Sequence, residues 1–326
     1  MTTFPPVAPD SSVLPGTVEV GIVVLNYHHP KETITCIQSL LAAEGPGTRI
    51  LWIENDAAAT AQELATELSQ APFPWLDLWE GDPLPPPGTI GVVRNVDNLG
   101  YAAGNNVGLR ILHRAGVPWA WILNNDILLT QGSSRDLVAK AQAQPHVGLW
   151  GVRIHSDFCP CYFGGLLRWK DFSIRFATEP GDLDTPGCFI SGCALFFRTD
   201  LGAEVGWIPE DYFLYYEDPA FSIEIQRKGH SLGFNQAVAI DHHQSLSTGH
   251  RSWLMEYYSR RNRWRFVQRY FPDQLKGQER LFFRYQIQKL LFRLRFDRIN
   301  LEWKAYRDFK AGQVGRSKRT AGKLWR

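Results

Sequence analysis

The sequence predicts an α/β protein: a mixed, mostly parallel sheet with helices on both faces, extended at its C-terminal end by basic helix. Three observations carry this. Short apolar, β-branched runs alternate with stretches of helical spacing over the first 150 residues or so. Polar clusters follow directly on several of those runs. A net charge of +2 hides a division, −13 over residues 1–250 and +15 over residues 251–326. Such a split reads as an acidic body with a basic tail that meets something anionic.

Residues 18–25 (VEVGIVVL) form the first apolar run, suited to a strand buried on both faces. A helix is expected over 30–41, where Ile34, Ile37, Leu40 and Leu41 are helically spaced and Pro30 suits a first turn. Residues 49–53 (RILWI) read as a strand, 57–69 as an Ala/Glu/Leu-rich helix, and 72–88, rich in Pro and Trp, as irregular. A strand at 90–95, a helix at 104–115, a strand at 119–123 and a helix at 133–144 complete the alternation. Beyond Val147 come short strands and aromatic loops, and from Trp253 an Arg- and aromatic-rich helical stretch. In open sheets of this kind ligands sit beyond the carboxyl ends of the strands. Asn26, Glu54-Asn55-Asp56, Asn98 and Asn124-Asn125-Asp126 should therefore share one rim.

The 326 residues are 44% hydrophobic and 13% aromatic, enough for a substantial core, which excludes general disorder. No run of about 18 apolar residues is present, so no transmembrane helix is expected. The first 17 residues have neither a basic nor an apolar signal region and read as a mobile Pro-rich leader. Five cysteines without a CxxC pair fit a reduced, cytoplasmic setting, peripheral on the membrane if the tail binds it. Cys159-Pro-Cys161 is either a metal half-site or two thiols on a loop.

Five segments can carry chemistry. Asp126, on a strand-end turn, can hold a hard divalent cation, or its Asn-Asn-Asp is simply a turn. Residues 98–108 (NLGYAAGNNVG) let backbone approach a ligand, or pack a helix on the sheet. Glu217-Asp218 follows an aromatic run whose low dielectric would raise a carboxyl pKa, as suits a general base; a helix N-terminus favoured by acids is the other reading. His242, His243 and His250 offer imidazoles to a metal site begun by Asp126. Arg260, Arg261, Arg263 and Arg265 give two basic helix faces, for phosphate or for solvent.

In this order and spacing the segments resemble glycosyltransferase family 2, inverting and of GT-A type, and within it the rhamnosyltransferase-like branch. The resemblance covers roughly residues 18–270 and rests on Asn26-Tyr27, Glu54-Asn55, residues 98–108, Asn124-Asn125-Asp126, residues 213–218 (FLYYED) and residues 257–262 (YYSRRN). It implies a GT-A domain over 18–270, with a nucleotide-sugar half (18–130), an acceptor half (131–270) and a tail over 271–326. Asn26, Tyr27, Glu54, Asn55, Asn98, Gly100, Asn105, Asn124 and Asn125 would bind the donor. Asp126 and His242 would hold Mg²⁺ or Mn²⁺, with His243 the second choice. Asp218 would deprotonate the acceptor and Glu217 orient it; Gly192, Arg260 and Arg261 would meet acceptor or phosphate. The implied reaction moves a sugar from a nucleotide-diphosphate donor (dTDP-rhamnose or a UDP-hexose) to a saccharide or lipid-linked acceptor, in cell-surface polysaccharide synthesis.

The sequence departs from the family after Glu-Asp: Pro219 and Ala220 replace Val-Asp, and Glu224 replaces an Arg. A nucleotidyltransferase is the first alternative, but the loop after the first strand is Asn-Tyr-His-His-Pro-Lys, without glycine. A non-catalytic binder of nucleotide sugar or RNA is the second, opposed by the acidic body. The helical spacing of Phe283, Ile287, Leu290 and Leu294 among Arg and Lys fits an anionic membrane surface, a helix packed on the body, or a homodimer contact.

Overall fold

The computed structural model describes residues 20–45, 48–55, 57–79, 81–242, 253–292, 294 and 296–317. The leader, Asp56, His243, Ser247, His250 and the end of the tail lie outside the described residues. In chain order the elements are β1 (Val20–Asn26), α1 (Pro30–Glu44), β2 (Arg49–Asn55), α2 (Ala57–Ser69), β3 (Trp75–Asp77), β4 (Ile90–Asn95), α3 (Tyr101–Arg114), β5 (Trp119–Asn124), β6 (Ile127–Gln131), α4 (Ser134–Ala143) and β7 (Val147–His155). Then follow β8 (Gly164–Leu167), β9 (Ile174–Ala177), β10 (Cys188–Ile190), β11 (Ala194–Arg198), α5 (Thr199–Glu204), α6 (Glu217–Arg227), β12 (Ser231–His242), α7 (Trp253–Tyr270), α8 (Pro272–Leu281), α9 (Ile287–Phe292) and α10 (Phe296–Lys310).

Nine strands form one mixed sheet, in the order β3-β4-β2-β1-β5-β11-β7-β12-β6. The first five run parallel; β11 enters antiparallel between β5 and β7. A small antiparallel sheet, β10-β8-β9, stands beside it. Both faces of the main sheet are covered, which is why β1 is an unbroken apolar run. Ile22 and Val24 join the core under α1, α2 and α4, and the intervening Val23 joins the core under α3, α5 and α6. Gly104 and Gly108 serve this packing: a Cβ would lie 2.6 Å from Leu25 Cδ1 at the first and 2.8 Å from Val23 Cγ1 at the second.

Two strands were not expected. Trp75–Asp77 adds a short edge strand within the Pro-rich stretch, and β6 leaves Asn124-Asn125-Asp126 at once to pair with β12. The turn chemistry of Asn-Asn-Asp masks the hairpin-like reversal it makes.

Of the described helices after residue 270, α8 and α10 pack against α7. Helix α10 folds back on α7: Arg260 Nε donates to Glu302 Oε1 at 2.7 Å and Tyr257 Oη to Asp308 Oδ2 at 2.5 Å. Trp264 packs on Phe282, Tyr306 and Phe309. The boundary expected at residue 270 thus falls between helices that share a core.

Candidate active site

Strands β1, β2, β4 and β5 end on the same edge, and a cavity of about 690 Å³ opens there. That volume suits a small-molecule site (roughly 300–1,000 Å³). Of the expected residues, Tyr27, Asn55, Asn98, Gly100, Asn124, Asn125, Asp126, Gly192, Glu217, Asp218, His242 and Arg260 line it. Asn26, Glu54, Asn105 and Arg261 are not among the residues that line it. Glu54 is fully buried and its carboxylate accepts from Asn26 Nδ2 (2.6 Å), Trp52 Nε1 (3.2 Å) and Thr60 Oγ1 (3.1 Å). Asn26 in turn accepts from Asn125 Nδ2 at 2.9 Å. These two residues tie adjacent strand ends together behind the wall and so place Asn125. Asn105 donates to its own helix, at Tyr101 O.

Asn55 and Asn98 shape the next stretch of wall. Asn98 Oδ1 accepts from Gly100 N at 2.8 Å and Asn55 Nδ2 at 3.1 Å, and Asn55 Oδ1 accepts from Leu99 N at 3.0 Å. Gly100 has φ +85°, and a Cβ there would stand 2.4 Å from Phe213 O. Its φ/ψ of 85°/179° is nearly exclusive to glycine. Gly100→Ala should therefore destabilise the fold by about 1–3 kcal/mol, read from the denaturant midpoint, and displace the Phe213 loop.

Glu217 and Asp218 start α6, where the helix dipole favours negative charge. Gly192 N donates to Asp218 Oδ2 at 3.2 Å, so Gly192 orients the carboxylate. Tyr101 Oη donates to Gly192 O, bracing the same turn. Glu217 Oε2 is buried and has no hydrogen-bond partner among the described residues. Burial pushes both carboxyls well above their ordinary range; the charge of Asp218 adds to the effect on Glu217, and the Gly192 amide partly offsets it at Asp218. A carboxyl so tuned, beside an acceptor carboxylate oxygen left open, suits proton abstraction from a hydroxyl.

Asp126 follows β5 and His242 ends β12. His242 Nε2 lies 3.2 Å from Asp126 Oδ1, and Tyr162 Oη lies 3.2 Å from Nδ1. Burial disfavours the charged ring, but the Cys193 sulfur and the Asp126 carboxylate overcome that penalty and push its pKa up to about 10. Asp126 Oδ1 is buried with no hydrogen-bond partner in good geometry. Adjacent ligands of an octahedral ion at about 2.1 Å stand about 3.0 Å apart, so the two atoms are spaced to share one cation. Among the described residues no group of three His, Cys, Asp or Glu side chains can hold a metal alone. The pair therefore fits an ion completed by substrate oxygens, the habit of Mg²⁺ at phosphate sites.

No protein-family model matches the sequence, and no curated protein matches it. In shape the chain is similar to GalNAc-T7 crystallised with UDP, GalNAc and Mn²⁺ (TM-score 0.53, 11% identity) and to the mannosyltransferase PcManGT from Pyrobaculum calidifontis with GDP-Man and Mn²⁺ (TM-score 0.50, 15% identity). The matches cover 78% and 98% of this chain, 48% of GalNAc-T7 and 79% of PcManGT. The chain thus spans about half the length of the first of these. The fold is GT-A.

On this GT-A sheet, the two basic faces of α7 do different jobs. Arg260 and Arg263 line the cavity; Arg260 is also held by Glu256 (3.1 Å) and Glu302 (2.7 Å). Arg261 points the other way and is fully buried, donating to Tyr212 O at 3.0 Å and Gly315 O at 2.9 Å. Arg263 is the cavity cation that the site assignment missed. Helical phase could have found it, because positions 260 and 263 share a face and 261 and 265 share another. Asn262 was also missed as a functional residue. Its Nδ2 lies 2.7, 2.7 and 2.9 Å from the carbonyls of Tyr212, Leu214 and Tyr215. Those residues form the turn that delivers Glu217-Asp218 into the cavity. The departure at Glu224 has its own compensation, since Arg269 and Tyr270 of α7 bond its carboxylate at 3.1 and 2.8 Å.

Proposed function

We propose that the protein is an inverting glycosyltransferase that moves a sugar from a nucleotide-diphosphate donor to a hydroxyl of a saccharide or lipid-linked acceptor. One observation carries this reading: the adjacent carboxyls of buried Glu217 and half-buried Asp218 line the same GT-A cavity as the Asp126–His242 pair. One pair suits the acceptor proton and the other the leaving diphosphate. The UDP, GDP-Man and Mn²⁺ bound in the similar structures support the donor class and the ion.

Asp218, held by Gly192 N, takes the acceptor proton as the hydroxyl oxygen bonds the anomeric carbon. The bond from that carbon to the diphosphate oxygen breaks, so nucleoside diphosphate leaves and the configuration inverts, through an oxocarbenium-like state of the kind met in glycoside hydrolysis. Glu217 Oε2 accepts a further hydroxyl of the acceptor and orients it. Asp126 and His242 would hold Mg²⁺ or Mn²⁺, which would supply charge stabilisation for the departing diphosphate. Tyr27, Asn55, Asn98, Gly100, Asn124 and Asn125 shape the donor side, and Arg260 and Arg263 add positive charge.

The motif order supports reading the chain as a glycosyltransferase family 2 enzyme of the rhamnosyltransferase-like branch, with dTDP-rhamnose or a UDP-hexose as donor and cell-surface polysaccharide as product. The test is nucleoside diphosphate release from nucleotide sugars with Mn²⁺ or Mg²⁺ and candidate saccharide acceptors, with the product anomer read by NMR. A retained anomeric configuration, or pyrophosphate release from a nucleoside triphosphate instead, would contradict it. Arg263→Ala should raise donor KM about tenfold with little change in kcat, the loss of one charge-assisted phosphate contact.

A further inference from the structure

The helices after α7 present an outer surface that the site does not use. Phe283 touches Trp303 of α10, with ring centroids 5.4 Å apart, so the two helical layers share one face. Phe296 lies two turns before Trp303 on the same side of α10. Between them, Phe292 and Leu294 sit at the connection into α10. All five are exposed, Phe292 to 91% and Leu294 to 72%. Lys276 and Arg280 are exposed on α8, and Arg307 is exposed one turn beyond Trp303. In sequence the connection reads Phe292-Arg-Leu-Arg-Phe296, apolar and basic in alternation.

Among the described acids of this segment Asp273 is exposed on α8, but three others are engaged by neighbouring side chains. Glu302 bonds Arg260, Asp308 bonds Lys304 and Tyr257, and Glu279 bonds Tyr306 and Lys310. Lys276, Arg280 and Arg307 therefore present positive charge outward, around a cluster of aromatic and aliphatic side chains. Exposed aromatics ringed by Lys and Arg are the chemistry of an anionic bilayer interface: apolar groups enter the headgroup boundary and cations meet lipid phosphate. A second copy of the chain would bring like charge against like charge. A long nucleic acid would run on over the −13 body.

We propose that this face, from Lys276 to Arg307, docks the protein on an anionic membrane surface. The surface lies on the helix, α10, that also carries Glu302 into the cavity wall, so docking would hold the site close to the lipid headgroups.

The test is flotation of the full chain with vesicles of phosphatidylcholine alone and of phosphatidylcholine with phosphatidylglycerol. Truncation is the wrong comparison, because it removes the Glu302 and Asp308 contacts to α7. Phe292→Ser/Leu294→Ser/Phe296→Ser and Arg280→Glu/Arg307→Glu serve instead, with unchanged Tm as the folding control. Binding to the anionic vesicles only, weakened by salt and cut about tenfold or more by each variant, is expected. No flotation of the wild type, equal flotation with neutral vesicles, or variants that float like the wild type would overturn the proposal. A dimer that the apolar triple variant splits, with no lipid binding, would assign the face to a second copy. Flotation reads no turnover, so this outcome is independent of sugar transfer.

Discussion

Asp218→Asn is expected to lower kcat by about 10²–10⁴-fold with donor affinity retained, the effect of losing a positioned general base. The amide keeps an oxygen to accept from Gly192 N, so geometry survives while basicity does not. The wild type should show kcat/KM rising with pH through an apparent pKa above the usual carboxylate range, because burial raises both Glu217 and Asp218 and only the ionised base works. Stability has the opposite sign. The folded chain keeps protons that the unfolded chain releases near pH 4, so this contribution is present at low pH and is lost as pH climbs through the raised values. Asp218→Asn should therefore show a higher Tm than wild type at pH 8, and the gap should close by pH 4. A variant with full turnover would remove Asp218 from the chemistry.

Asn262→Ala is expected to lose about 3 kcal/mol of stability and about 100-fold in kcat, with donor KM nearly unchanged. Phe213, Tyr215 and Tyr216 all have positive φ, at 69°, 68° and 75°. Each such residue costs on the order of 1 kcal/mol or more, and the turn persists only if something holds it. The Asn262 amide does so through three carbonyls, and Arg261 adds a fourth bond, to Tyr212 O. Without the amide, buried carbonyls lose their donor at about 1–3 kcal/mol each. Asn262→Asp is the control: it keeps the shape but has no N–H to donate, so it should fail as Ala does. The proposed donor contacts lie on other elements, at Tyr27, Asn55 and Asp126, which is why KM should hold. Kinetics and chemical denaturation of the three proteins would check this; a parallel loss in KM would point to general unfolding.

The sheet was legible because its strands are buried on both faces: Ile22, Val23 and Val24 leave no solvent-facing break in the apolar run. The rim was legible because polar residues follow those runs directly. What sequence could not resolve was depth. Asn26 and Glu54 look like Asn55 and Asn98 in a string, yet the first two bond each other behind the wall and the latter two line it. Helical phase groups Arg260 with Arg263 and sets Arg261 apart, but the string does not say which face of α7 meets the cavity and which meets a carbonyl. Burial of Asn262 also escaped notice, because its partners are backbone carbonyls some fifty residues earlier, and a backbone partner has no residue signature. The small residues at 98–108 held both readings: Gly100 serves the turn at the cavity, and Gly104 and Gly108 serve helix packing.

Ligand-linked stabilisation tests the central claim most directly, since it needs no acceptor. Nucleotide sugars would be screened one at a time with Mn²⁺ against the wild type, Asp126→Ala and Asp218→Asn. At about 100-fold excess over Kd a bound donor adds about 2.7 kcal/mol, several degrees in Tm. At least one nucleotide-diphosphate sugar should raise the Tm of the wild type and of Asp218→Asn in a metal-dependent way, and Asp126→Ala should lose the shift. No shift with any nucleotide sugar, or an equal shift in Asp126→Ala, would contradict the claim.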